Sequence, residues 1–237
     1  VSARPARPSE VAAPHAPDLP DELPALPIFP LPNCVLLPGG MLPLHVFEPR
    51  YRALTRACLA GDHLMAIASL RPGYQADYEG RPPVHRVAGV GRIICADELP
   101  DGRFMLLLQG VGRVEIEDEL PPTEPYRVVR ARAVRDAAPG DRVRYAATYE
   151  RLRGLCDQLA LALDSSGHQA GQQLRQLAAC DTSAGFCADA VAAALIVETT
   201  ARQRLLEECC PETRLRATID AVTQLLCALA PCHGDVN

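Results

Sequence analysis

The chain has 237 residues, 48% hydrophobic and 22% charged, with a formal net charge of −5. That supplies enough apolar material for a buried core, in one large domain or two small ones. The negative balance argues against general nucleic-acid binding, and no run of about 18 apolar residues offers a membrane-spanning helix. All 24 basic residues are arginine. Without a lysine, these residues cannot build a lysine nucleophile, a serine–lysine dyad or a phosphate loop of the G-x-x-x-x-G-K type. The ten cysteines are scattered and never spaced C-x-x-C, so reduced thiols in a cytoplasmic protein are expected, not a disulfide framework.

Residues 1–23 carry Pro5, Pro8, Pro14, Pro17 and Pro20 with no continuous apolar stretch. They read as a disordered leader and not as a secretory signal. Pro27, Pro30, Pro32, Pro38 and Pro43 follow, each removing a backbone donor and fixing φ, which predicts that no long helix or central strand crosses this region. Between these prolines, Cys34–Leu37 and Leu42–Val46 are expected as short strands at a sheet edge or barrel rim. Pro49, with Glu48 before it, opens a helix over 50–60 that Gly61 closes. Residues 64–70 form an apolar run of strand length. The stretch 71–83, rich in proline and glycine and holding Tyr74 and Tyr78, is expected as an irregular loop. Residues 84–99 read as a strand with a bend at Gly89 and Gly91. Pro100-Asp101-Gly102 then predicts a hairpin turn to Phe104–Gln109. Gly110-Val111-Gly112 kinks the return strand before 113–120, and residues 126–134 alternate as a further strand. Beyond the segment DAAPGD at 136–141 the period becomes helical, with helices expected over 143–163, 169–180, 184–200, 202–208 and 211–229.

The block Phe29-Pro30-Leu31, Pro38-Gly39, Pro43-Leu44-His45 and Phe47-Glu48-Pro49-Arg50-Tyr51 resembles the opening of the LON substrate-binding domain, the N-terminal domain of Lon proteases. The likeness continues through Gly89-Val90-Gly91-Arg92-Ile93, Gly110 to Arg113, and Pro125-Tyr126. In the helical part it rests on Ala188-Asp189, Gln203, Leu205-Leu206-Glu207 and Arg214-Leu215. It spans about residues 24 to 230. The resemblance implies an α+β protein, with a PUA-like distorted β-barrel subdomain followed by a helical bundle. The expected boundaries are leader 1–23, barrel 24–136, bundle 137–231 and tail 232–237. It further implies a free-standing Lon-like protein without ATPase or protease domains, binding unfolded or tagged polypeptide non-catalytically as an adaptor in bacterial protein quality control. A separate ATP-dependent protease would be its partner, in the cytoplasm and away from membranes. The expected groove lies between barrel and helices. Glu48, Arg50, Tyr51, Tyr74 and Tyr78 are the candidate peptide-binding residues.

Cys34 and His45 fall in neighbouring expected strands and would be the pair for a small Cys/His hydrolase. Their apolar surroundings favour a buried thiol and a hydrogen-bonded core histidine. Cys227, Cys232 and His233, with Cys209-Cys210, are the nearest approach to a zinc ligand set, but their spacing is poor, and no metal or other cofactor is expected. Residues 127–153 hold eight arginines against three acids, while 97–124 hold eight acids against two arginines. These charges build either an arginine-rich RNA surface or a cross-strand ladder of Glu115 and Glu117 against Arg130 and Arg132. Aromatic residues make up only 4% of the chain, too few for a base-stacking platform.

Overall fold

The turn chemistry of Pro100–Gly102 folds the two longest strands onto each other, and the rest of the sheet grows from that hairpin. The computed structural model describes residues 19–77, 80–165, 170–178 and 183–229. Its strands are β1 (Glu22–Leu31), β2 (Met41–Val46), β3 (Leu64–Ser69), β4 (Val87–Glu98), β5 (Phe104–Glu119) and β6 (Arg127–Ala133). Its α-helices are α1 (Pro49–Ala60), α2 (Arg142–Ser165), α3 (Ala170–Ala178), α4 (Ala184–Leu195), α5 (Thr199–Glu207) and α6 (Pro211–Leu229). The strand order is β2-β5-β4-β3-β1-β6, and a further β5–β6 pairing closes the barrel. Strand β5 makes this possible by its length. Its first half pairs with β2 and its second half with β6, while β4 runs along the other side. The result is the expected α+β architecture: a distorted barrel, then a helical bundle.

Strand β1 corrects the expectation that prolines exclude a central strand here. It lies between β3 and β6 and contains Pro24, Pro27 and Pro30. Residues 22–28 pair with β6, whereas 28–31 pair with β3, so the two neighbours overlap only at Ile28. Pro24 falls in the register shift between Leu23 and Leu26. Each proline therefore sits where one side is unpaired and a missing donor costs little. The packed chain also includes part of the expected leader, because Leu19 and Leu23 are buried in the barrel core.

The segment Cys34–Leu37 is not the expected strand. It is irregular, yet Val35, Leu36 and Leu37 are buried. The reason is close backbone packing against the β4–β5 hairpin. A Cβ on Gly89 would lie 1.9 Å from the Leu36 carbonyl oxygen, and one on Gly110 would lie 2.1 Å from that of Leu37. Only glycine admits this crossing. The break expected at 201, between helices over 184–200 and 202–208, falls earlier, at 196–198. The carboxylate of Glu198 accepts hydrogen bonds from the amides of Thr200 (2.8 Å) and Ala201, capping α5 and breaking the chain after Leu195.

Barrel and bundle meet around buried charge. Arg113 on β5 and Arg214 on α6 both reach Asp189 on α4, and all three residues are at most 4% exposed. Arg113 pairs with Asp189 Oδ2, and Arg214 Nε lies 2.9 Å from Oδ1 as an ion pair without hydrogen-bond alignment. Arg113 also donates to the carbonyls of Leu205, Leu206 and Glu208 at 3.0–3.4 Å, covering the C-terminal end of α5. Arg214 donates to both oxygens of Asp136 at 2.8 Å and to the Glu208 carbonyl. Burial pushes the Asp189 carboxyl up to about 6, while the two guanidiniums pull it down. An apolar layer of Val35, Leu37, Ala192, Leu205 and Leu206 completes the contact.

Breaking such a triad leaves uncompensated buried charge. We expect Asp189→Ala to lose about 3–5 kcal/mol in urea unfolding. A loss under about 1 kcal/mol would show that the joint is not what holds the two parts together.

Candidate functional site

The apolar blocks around the β2–α1 corner create two outward-facing features. The first is a cleft of about 260 Å3 at one end of the barrel. Pro30, Leu70, Pro82, Tyr51 and Tyr126 contribute apolar walls, and Arg50, Arg81 and Arg127 line it with charge. Proline at the start of α1 fixes the corner, so that Arg50 and Tyr51 occupy the first turn. Tyr51 is 5% exposed and stacks on Phe29 with ring centroids 4.0 Å apart. The Arg50 guanidinium lies 4.7 Å from the Tyr51 ring centroid and donates to Glu48 at 2.9 Å. Arg127 donates to both oxygens of Glu119, at 3.0 and 2.8 Å, and to the Pro82 carbonyl at 2.8 Å. Arg81 reaches the same carboxylate at 2.7 Å.

Of the five residues singled out from the sequence, Arg50 and Tyr51 line this cleft, and Glu48 holds Arg50 from beside it. Tyr74 lies in a single 3₁₀ turn, Tyr74–Asp77, outside the cleft lining. Tyr78 lies outside the described residues.

The second feature is the outer face of β2, β5 and β4. The register places Met41 beside Gln109, Pro43 beside Leu107, and His45 beside Met105. On the far side, Cys95 and Asp97 of β4 stand next to Leu107 and Met105. Met41 is 46% exposed, Met105 45% and Phe47, just beyond the strand, 59%. The whole chain has three methionines and four phenylalanines. Two of the former and one of the latter therefore stand in solvent on one small surface. This concentration is the signal that sequence reading missed.

Strand β2 is also the free end of the sheet. The Gly110 amide donates to the Gly40 carbonyl at 2.8 Å. By the antiparallel alternation, the backbone groups of Met41, Pro43 and His45 then face the open side. Pro43 interrupts that row of donors.

The other candidate chemistry resolves differently. Cys34 is half-buried in the irregular segment, and burial pushes its thiol up. His45 is exposed on β2 with the Phe47 ring 6.0 Å away, so it is not the core histidine expected. Among the described residues no hydrogen bond joins the two. No group of three His, Cys, Asp or Glu side chains able to hold a metal occurs among the described residues, and Cys232 and His233 lie outside them. Part of the charge runs forms a cross-strand ladder, in which Arg132 also reaches Glu117 at 3.9 Å, while Arg142, Arg144, Arg151 and Arg153 lie on α2. Glu115 pairs with Arg86 at 3.0 Å and Arg132 at 3.5 Å, and Asp118 pairs with Arg130 at 3.6 Å. The expected groove between barrel and bundle is filled by the charged joint and its apolar layer. No described helix is long and apolar enough to cross a membrane.

Residues 25–224 match the family model of the ATP-dependent protease La (LON) substrate-binding domain. The chain belongs to this family. It is 28% identical over 197 residues to the Lon protease of Anaeromyxobacter dehalogenans (strain 2CP-C), covering 83% of this chain and 22% of that protein. Lon protease 2 of Myxococcus xanthus is 26% identical over 195 residues, covering 82% of this chain and 23% of that protein. The chain thus spans under a quarter of the length of these relatives. Its fold matches the N-terminal domain of Mycobacterium avium complex Lon protease, with TM-score 0.62 and 19% identity over 84% of this chain and 98% of that one. The Lon N-terminal domain protein from Xanthomonas campestris gives 0.55 and 24%, with the same coverage. The residues carrying the resemblance in the helical part, Asp189, Gln203 and Arg214, belong to the joint or sit beside it. Gln203 donates to the Val87 carbonyl of the barrel at 3.0 Å.

Burial pushes the Cys58 and Cys156 thiols to about 12. Alkylation of the native protein near pH 8, read by mass spectrometry, should label exposed Cys95 and Cys209 and spare these two until unfolding. Equal labelling of all four would contradict this packing.

Proposed function

We propose that this LON domain captures extended, apolar segments of unfolded or tagged polypeptide, without chemistry, on the outer face of β2, β5 and β4. The observation that carries the reading is the exposure of Met41, Phe47 and Met105 together in a chain so poor in such residues. Unbranched, polarizable methionines adapt to many partners, and an exposed apolar patch of this kind marks an interaction surface. Pro43 removes the central donor of the open edge, so recognition rests on side chains more than on a continuous added strand. A non-catalytic role is supported by the absence of lysine from these 237 residues, since neither a nucleotide-phosphate lysine nor a serine–lysine dyad can be built. By analogy with the Lon relatives, the bound segment is passed to an ATP-dependent protease in the cytoplasm, an adaptor's part in quality control.

Hydrogen exchange with an unfolded model polypeptide is the direct test. Protection should appear over residues 41–47 and 105–109, and Met105→Asp should weaken binding about tenfold with little change in thermal stability. Binding that Met105→Asp and Phe47→Ser both leave intact would remove this face from consideration.

A further inference from the structure

Solvent divides the three methionines of this chain into two kinds. Met65 on β3 is fully buried, packed in the core cluster that holds Phe29, Tyr51 and Ile67. Met41 and Met105 are close to half exposed, and both stand on the outer face of β2 and β5. The register sets Met41 beside Gln109 and Met105 beside His45, with the Pro43–Leu107 pair between them. The two methionine positions are therefore roughly 13 Å apart along the strands, on one side of the sheet. Cys95 of β4, paired with Leu107, adds an exposed thiol nearby. A thioether packs much as leucine does and adapts to more shapes. It differs from leucine in one reaction: an oxidant that reaches the sulfur converts it to a polar sulfoxide. Both methionines open to that reaction lie on the face to which guest binding is assigned, and the one whose oxidation would disrupt the core is shielded.

We infer that Met41 and Met105 are modification sites, at which oxidation by a peroxide lowers the affinity of this face for polypeptide. This rests on the reading of the face as a polypeptide binder and adds control by oxidant. Hydrogen peroxide gives one oxygen atom to each thioether. An S–O bond forms and the O–O bond breaks, and the sulfur gives up two electrons. The departing hydroxide takes the proton from the transferred oxygen and leaves as water. The sulfoxide oxygen is a hydrogen-bond acceptor that water satisfies and an apolar guest does not, so covering it is costly. The barrel keeps its packing because Met65 stays reduced. Methionine sulfoxide reductases return the sulfoxide to the thioether, which makes the change reversible. Oxidation of the Cys95 thiol is the other route by which peroxide could act on this face, and the experiment separates thiol from thioether.

The full chain would be treated with hydrogen peroxide, freed of it, and titrated by fluorescence anisotropy against a labelled unfolded peptide rich in Leu and Phe. Peptide mapping by mass spectrometry should find one added oxygen at Met41 and at Met105 and none at Met65. Binding should weaken about tenfold, the scale of losing the burial of one or two methylene-sized groups per sulfur. Dithiothreitol, which reduces disulfides and sulfenic acids but not methionine sulfoxide, should leave the loss in place, and methionine sulfoxide reductases should restore binding. The double variant Met41→Leu, Met105→Leu should bind as the parent does and lose nothing on treatment. Unchanged binding by protein oxidised at both positions, with Met105→Asp still weakening it, overturns the inference and leaves the apolar face standing. Recovery in dithiothreitol, or a loss that persists in the double variant, assigns the effect to a thiol or another group and overturns it as well. Equal oxidation of Met65 in protein that still melts cooperatively overturns the selectivity. Failure of the untreated chain to bind any such peptide overturns both readings.

Discussion

Arg113, Asp189 and Arg214 place three charged side chains in a nearly solvent-free joint, and the relation of barrel to bundle depends on how completely they satisfy one another. An ion taken out of water is expensive, so each must find its partners in one geometry only. Asp189 is the shared anion of two guanidiniums from different subdomains. Arg113 also closes the carbonyl end of α5, and Arg214 ties in Asp136 from the linker. A sliding or rotated bundle would strand at least one of these charges. The hydrophobic layer of Val35, Leu37, Ala192, Leu205 and Leu206 supplies area but little direction. The charges supply the direction.

With that joint closed, the proposed binding surface lies elsewhere, on the free end of the sheet. Strand β5 carries both arrangements. Its second half holds Arg113 and the ladder residue Glu115, while its first half presents Met105 and Leu107 outward. A stiff strand anchored at one end by buried charge presents an adaptable surface at the other. Flexible side chains on a fixed framework let one site accept unlike sequences without reorganising the backbone.

Local rules read the hairpin well. Pro100-Asp101-Gly102, the alternation of 126–134 and the start of α1 at Pro49 each encode their structure within a few residues. Non-local causes were not legible. The proline rule misjudged β1 because it assumes a strand paired on both sides along its length, whereas this one changes partner at Ile28. Cys34–Leu37 looked like a strand because it is apolar, but its burial comes from glycines about fifty to seventy residues away. Arg50 and Tyr51 were reachable through the family pattern. Met41 and Met105 were not, and the exposure of Phe47 was not either, since in Met41-Leu42-Pro43-Leu44-His45 apolar residues fall on both faces and alternation cannot say which is wet. Asp189 alone among the apolar residues of α4 was a usable hint of a buried ion pair.

Pro43 carries a consequence for solution behaviour. A surface that attracts unfolded chains is at risk of attracting its own copies, most of all along an unpaired strand. A ring nitrogen at the centre of that margin denies a second molecule the continuous hydrogen-bond register that fibril-like stacking requires. On the proposed reading, Pro43 leaves the face open to guests while disfavouring edge-to-edge pairing of one copy with another.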